Sequence, residues 1–357
     1  MTSRFWIAND TVPTKVSGWE PARLGDVERQ TKVEALVDGI EARNRALLGR
    51  ALTLVESNRA DHRPQAQELL TAILPATGGA HRIGISGVPG VGKSTFIEAF
   101  GLRLVAAGHR VAVLAIDPSS TLSKGSILGD KTRMERLAAS NEAFIRPSPT
   151  GGSLGGVARK TRESILVCEA AGFDMVIVET VGVGQSETAV ADMVDFFLVL
   201  ELAGAGDELQ GIKRGILELA DLISINKADG DNRPGARRAR AELERALQIL
   251  RPETEKRRTP KVVTSSAVTG EGLDEIRDII VEHRQRLEAS GELERRRSAQ
   301  ALHWMWSLVD EGLRAAVREH LAVRERLKNL ERDVVDGRTT ATAAAEVILD
   351  AFGAGRE

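Results

Sequence analysis

Cysteine is nearly absent from this 357-residue sequence; Cys168 is the single one. One thiol makes neither an internal disulfide framework nor a thiolate metal cluster within a chain, and Cys168 reads as a small buried residue on an apolar helix face. Net charge is nearly absent as well, with 49 basic against 51 acidic residues. Nothing in that balance marks a surface for nucleic acid or for an anionic membrane. No apolar run approaches the roughly 18 residues that suggest a membrane span. The first thirty residues carry Asp10, Glu20, Asp26 and Glu28 and lack a signal-peptide apolar stretch. That pattern fits neither a secretory nor a transit signal, and the cytoplasm is the expected location. The histidines, His62, His81, His109, His283, His303 and His320, show no metal-ligand spacing.

What is present is the balance of a globular protein with a core, 42% hydrophobic and 28% charged. Residues 1–30, with Trp6, Pro13, Trp19 and Pro21, read as an irregular arm in which helix is not expected. Helical spacing then runs from Val33 to Glu56 and again through Ala66, Leu69, Leu70 and Ile73, closed by Gly78-Gly79. Beyond that point, short apolar runs alternate with helical stretches. The runs are Arg82–Ser86, Val111–Ile116, Met175–Val178, Phe196–Leu200, Leu222–Ile225 and Val262–Thr264. Such alternation predicts an α/β fold with a mostly parallel sheet covered on both faces. After Ser290 the strand signals stop, and Leu302, Met305, Val309, Leu313, Val317 and Leu321 form an apolar stripe in a charged helix. The expected division is 1–78, arm and helical extension; 79–290, α/β core; and 291–357, a helical segment whose stripe packs on its own core or, the favoured reading, on a second copy, with Trp304 and Trp306 as interface anchors or plain packing.

Three patterns carry chemistry. Gly87-Val88-Pro89-Gly90-Val91-Gly92-Lys93-Ser94 matches G-x-x-x-x-G-K-[ST] between a strand and a helix that opens at Thr95. Its glycines let backbone N–H groups wrap a phosphate chain, with Lys93 reaching the β- and γ-phosphates and the Ser94 hydroxyl placed for Mg²⁺. Asp117 and Glu179 follow their strands at the carboxyl edge, where an open parallel sheet binds ligands, and both suit Mg²⁺. Asp130 is equally a metal ligand or a helix cap. Glu179-Thr-Val-Gly182 resembles a γ-phosphate sensor, and Gln185 either orients the attacking water or is a solvated loop residue. Asn226-Lys227-Ala-Asp229 follows a strand as an N-K-x-D pattern, whose carboxylate accepts from guanine N1–H and the 2-amino group, neither of which adenine offers. Ser266-Ala267-Val268, within S-A-x-x-G-x-G, places a backbone N–H near guanine O6.

Together with Asp117-Pro-Ser-Ser120 and Gly204-Ala-Gly-Asp-Glu-Leu-Gln-Gly-Ile-Lys213, these motifs make the sequence resemble the MeaB/ArgK-type branch of the P-loop GTPases. The resemblance covers residues 30–350. It implies a Mg²⁺-dependent GTPase that turns GTP into GDP. It also implies a homodimeric G-protein chaperone of adenosylcobalamin-dependent methylmalonyl-CoA mutase, with no nucleic acid or membrane partner. Asp207, Glu208, Gln210 and Lys213 would then belong to an extra switch facing the mutase. Two positions depart from the family pattern on the approach to that switch: Ala203, where proline is common, and Glu201, within an apolar run. The rival readings are a GTP-dependent metallochaperone, a small-molecule or protein kinase, and a helical dimer that keeps nucleotide as a structural ligand.

Overall fold

The structure is a computed structural model that describes residues 24–117, 134–149, 154–180, 186–204, 214–249 and 259–353. Seven strands form one sheet: β1 His81–Gly87, β2 Val111–Asp117, β3 Ala143–Pro149, β4 Met175–Glu179, β5 Phe196–Leu202, β6 Leu222–Asn226 and β7 Lys261–Thr264. Their order is β3-β2-β4-β1-β5-β6-β7, and every neighbouring pair is parallel. Successive side chains leave a strand on opposite faces, and the sequence fills both faces with apolar groups. Val176, Val178, Phe197 and Val199 join one core, whereas Met175, Ile177, Phe196 and Leu198 join the other. Two-sided burial of this kind is what a parallel sheet requires.

Six strands lie where apolar runs predict them. The seventh, β3, does not stand out in the sequence because it contains Pro147 and Pro149. Strand β3 pairs with β2 alone, at one edge of the sheet. Prolines two residues apart remove N–H groups from the same side of a strand, which an edge tolerates on its open side.

The helical extensions also differ in detail from expectation. Helix α1 spans Leu24–Glu41, so the lead-in is helical from Leu24 onward. The stretch predicted as one helix from Val33 to Glu56 is broken into α1 and α2 (Arg45–Val55). Arg43 takes a left-handed φ of +59°, and Asn44 caps α2 by accepting from the backbone N–H of Ala46 and Leu47. An Asn cap satisfies helix-start donors that would otherwise be orphaned, which stabilises the break. Helices α3 (Arg63–Ile73) and α4 (Lys93–Ala106) bracket β1. The remaining described helices include α5 (Glu135–Ala138), α6 (Leu154–Ala170), α7 (Ser186–Ala191), α8 (Arg214–Leu219), α9 (Arg233–Ile249) and α10 (Leu273–Ala289). At the carboxyl end come α11 (Glu292–Glu319), α12 (Leu321–Val335) and α13 (Ala341–Phe352).

Helix α11 is fastened under the amino edge of the sheet. Arg297 donates to both carboxylate oxygens of Asp195, at 2.8 and 2.6 Å, and to the carbonyls of Gly78 and Ala80. The Asp195 carboxylate also accepts from the backbone N–H of Arg82 at 2.9 Å. Burial opposes the charge of Asp195, yet the Arg297 guanidinium and these hydrogen bonds hold its carboxyl below the usual range. Of the two readings of Trp304, interface anchor or plain packing, the structure has the second: it packs against the core, with the Arg162 guanidinium 5.1 Å from its ring centre. Trp306 faces outward and is 61% exposed. Cys168 is fully buried.

Candidate functional site

The carboxyl ends of β1, β4, β6 and β7 bring the predicted motifs to one edge of the sheet. Gly87 closes β1 at φ +153°, and a Cβ there would lie 2.5 Å from the carbonyl oxygen of Leu200 on β5. Only glycine allows the loop to leave the sheet at that point. Gly90 and Gly92 have φ of +82° and +91°, and Gly92 forms the cap of α4, so the loop turns directly into the helix N-terminus. Pro89, Gly90 and Thr95 are exposed, Val88 is partly covered, and Val91 is buried beneath the loop.

Lys93 curls back over this loop, its Nζ donating to the carbonyls of Gly87 at 2.7 Å and Val88 at 3.2 Å. Burial lowers the Lys93 pKa, opposed by the negative charges of Glu179 and Glu187. The Ser94 hydroxyl donates to Glu179 Oε1 at 3.1 Å, across 85 residues of sequence. A hydroxyl and a carboxylate so close together are the hard oxygen donors that Mg²⁺ prefers, and the donor set therefore fits that ion. Asp117 ends β2 two positions beyond Ala115, the register partner of Glu179. Thr180, just past Glu179, is pinned by hydrogen bonds to the Ser86 hydroxyl at 2.9 Å and to the Ile85 carbonyl at 3.0 Å. Asp130, Gly182, Gln185, Asp207, Glu208, Gln210 and Lys213 lie outside the described residues.

Glu187 is a carboxylate that the sequence does not flag. It lies in the first turn of α7 and is only 2% exposed. One turn on, Val190 reaches β1, its Cγ1 3.0 Å from where a Cβ on Gly84 would stand. Residues three apart share a helix face. The missing Cβ of Gly84 therefore seats α7 on β1, turning Glu187 toward the sheet at the end nearer the phosphate loop.

On the other side of the loop, the base motif grips the phosphate motif. Asn226 Nδ2 donates to the Val91 carbonyl at 2.9 Å, and Lys227 Nζ donates to the Gly90 carbonyl at 2.8 Å. Lys227 does this from a left-handed backbone of φ +56°, its own carbonyl accepting from Asn232 Nδ2 at 2.8 Å. A left-handed lysine is uncommon and persists only where its surroundings over-determine it. Asp229 accepts from the Ser266 hydroxyl at 2.5 Å, which joins the N-K-x-D loop to the loop after β7. That second loop is closed by Ser266 N–H to the Glu271 carbonyl at 3.0 Å and Gly270 N–H to the Ser266 carbonyl at 2.9 Å. Ala267 is partly covered and Val268 is 83% exposed. Among the described residues, no group of three or more His, Cys, Asp or Glu side chains is placed to hold a metal ion. No helix there is long and apolar enough to cross a membrane.

Comparison with known proteins points the same way. The family described as Methylmalonyl Co-A mutase-associated GTPase MeaB matches residues 48–322, which takes in every motif above. A Caulobacter vibrioides protein named as a GTPase is 56% identical over 321 residues, covering 90% of this chain and 98% of its own length. The mouse protein named methylmalonic aciduria type A homolog, mitochondrial, is 48% identical over 342 residues, 92% of this chain and 81% of that protein. A crystal structure of a LAO/AO transport system kinase superposes with a TM-score of 0.73 at 38% identity, covering 90% of this chain and 97% of the other.

Proposed function

Because this chain belongs to the family of methylmalonyl-CoA mutase-associated GTPases typified by MeaB, we propose that its GTP hydrolysis serves an adenosylcobalamin-dependent methylmalonyl-CoA mutase. In this reading the protein is a G-protein chaperone that couples nucleotide state to cofactor loading and to protection of the mutase. The observation that carries it is the family match across residues 48–322. The mouse relative, named for methylmalonic aciduria, supports it from a second direction.

In this reading the residues divide the work as follows, with the observed contacts in support. Lys93 exchanges its two loop carbonyls for the β- and γ-phosphate oxygens when GTP enters. Ser94 and Glu179, with Asp117, would hold Mg²⁺. Such an ion, when bound, would supply charge neutralisation to the phosphate chain. The backbone N–H groups of residues 90–94 and the N-terminus of α4 add fixed positive potential. Asp229 takes the guanine N1–H and 2-amino group, and Ala267 supplies an N–H to O6. Water attacks the γ-phosphate, giving GDP and inorganic phosphate, and catalysis rests on positioning and electrostatics. Intrinsic turnover is expected to be slow, since no arginine is assigned to the γ-phosphate, and faster when the mutase orders the switch segments. The helical region 291–357 is assigned to dimer formation.

Steady-state GTP hydrolysis, with and without an adenosylcobalamin-dependent acyl-CoA mutase and with ATP as control, tests the proposal. Stimulation with GTP alone supports it. GTP turnover indifferent to the mutase would end the chaperone reading. Phosphoryl transfer from ATP to an acceptor would favour a kinase, the activity named for the solved relative.

A further inference from the structure

One buried charge has no task in the hydrolysis described above. Glu187 is 2% exposed, and a carboxylate is almost never buried to that degree unless a cation is near it. The chain leaves β4 at Glu179 and begins β5 at Phe196, which pairs with Ile83 of β1. Helix α7 therefore runs back down β1, with Val190 against Gly84. At about 1.5 Å per helical residue, Glu187 stands roughly 4.5 Å above Val190. A strand rises about 3.3 Å per residue, so Glu187 is level with Ile85 and Ser86, just below the loop that opens at Gly87.

The cation that feels this carboxylate is Lys93. Its Nζ donates to the carbonyls of Gly87 and Val88, at 2.7 and 3.2 Å. Two carboxylates favour its charge against burial, Glu179 first and Glu187 second. Glu179 has a further partner, the Ser94 hydroxyl at 3.1 Å, and belongs to the donor set that fits Mg²⁺. Glu187 acts on the lysine from α7, the helix that follows the sensor-like segment Glu179–Gly182.

Nucleotide has to draw the ammonium away from these partners. The lysine of a phosphate loop meets β- and γ-phosphate oxygens, so GTP pulls on it harder than GDP and brings one more charged phosphate toward the carboxylate. Like charges repel far more strongly in a water-poor site than in bulk water. A buried carboxylate in the field of Lys93 therefore opposes GTP more than GDP.

We infer that Glu187 is a specificity-determining residue of the nucleotide site: its carboxylate restrains the Lys93 ammonium and sets GTP affinity low relative to GDP. It acts by its charge and through Lys93, and takes no part in the bond that breaks. This rests on the reading that Lys93 meets the β- and γ-phosphates.

The test is affinity for GDP and for a non-hydrolysable GTP analogue, each with Mg²⁺, by calorimetry. The proteins are the parent, Glu187→Gln, Glu187→Met and Glu187→Asp, with nucleotide-free melting temperature and GTP kinetics in parallel. Both neutral variants should bind the GTP analogue roughly tenfold more tightly, the order expected for removing one buried like charge. GDP should tighten by no more than about threefold, and KM for GTP should fall along with the analogue's dissociation constant. Glu187→Asp keeps the charge and should stay within about threefold of the parent. A carboxylate that only supports the fold would move the other way, with a lower melting temperature and weaker binding of both nucleotides. Unchanged or weaker analogue binding in the neutral variants, or equal gains for GDP and the analogue, would overturn the inference. The role of Lys93 is judged separately, by Lys93→Ala, in which both affinities should fall; if they hold, that reading fails whatever the Glu187 variants do.

Discussion

Asp229 is the residue on which nucleotide choice turns. Its carboxylate already accepts one hydrogen bond, from Ser266, and in the proposed pose the other face is left for two donors on guanine. Asp229→Asn replaces an acceptor by a donor at that face. GTP affinity should fall roughly 100-fold or more, the sum of two charge-assisted hydrogen bonds, and xanthosine triphosphate should become the better ligand. Unchanged preference in a competition assay would remove the base-site assignment. At this scale the sequence is most legible where a motif imposes backbone geometry, as at Gly87, Gly90 and Gly92. It is least legible where a common residue acts by position alone. Nothing in the letters marks Glu187 for burial, and the left-handed φ of Lys227 is set by contacts with Gly90 and Asn232 made only in the folded loop.

At the scale of elements, helix α6 carries a group whose environment should be measurable in solution. Glu163 has a side chain 14% exposed, and burial pushes its carboxyl up to about 7, against the opposing pull of Arg159, Arg63 and Lys160. Its raised folded value means that its contribution to stability is complete below the ordinary value of 4.5 and is lost as pH rises through about 7. Glu163→Gln should therefore match the parent at acid pH and exceed it in stability above pH 7, by about 3 kcal/mol. Denaturant titrations at pH 5 and pH 8 would show this, and a constant difference between the two proteins would contradict it. The same scale shows where periodicity fails as a guide. Strand β3 is hidden by Pro147 and Pro149, which only an edge position accommodates, and that position is a property of the finished sheet. The break between α1 and α2 turns on Asn44 as a cap, a role that an asparagine inside a long apolar periodicity does not announce.

For the whole molecule, the order β3-β2-β4-β1-β5-β6-β7 gathers the motifs at one edge. Alternating strands and helices predict a parallel sheet, but they leave its spatial order open. The far end of the chain is less complete on its own. Leu302, Met305, Trp306, Val309 and Leu313 on α11 are exposed by 59, 46, 61, 40 and 52%. At 100° per residue they fall within an arc of roughly 100°, a width suited to a helical interface. If this face joins two copies, Trp306→Glu with Leu313→Glu should convert a dimer to a monomer in sedimentation at micromolar concentration and leave basal GTP hydrolysis intact. An unchanged mass in the variant, or a monomeric parent, would dismiss the assignment.

The clasp between Arg297 and Asp195 also has a meaning in time. The two residues are 102 positions apart in sequence, and chains grow at about 5–20 residues per second. For roughly 5–20 seconds of synthesis, Asp195, just ahead of strand β5, has the backbone N–H of Arg82 as a partner but not yet Arg297. The last nucleotide motif, ending at Gly272, is made within that interval, yet the clasp on Asp195 waits for α11. A chain ending between Gly272 and Arg297 would therefore carry every nucleotide motif on a sheet whose amino edge lacks this clasp.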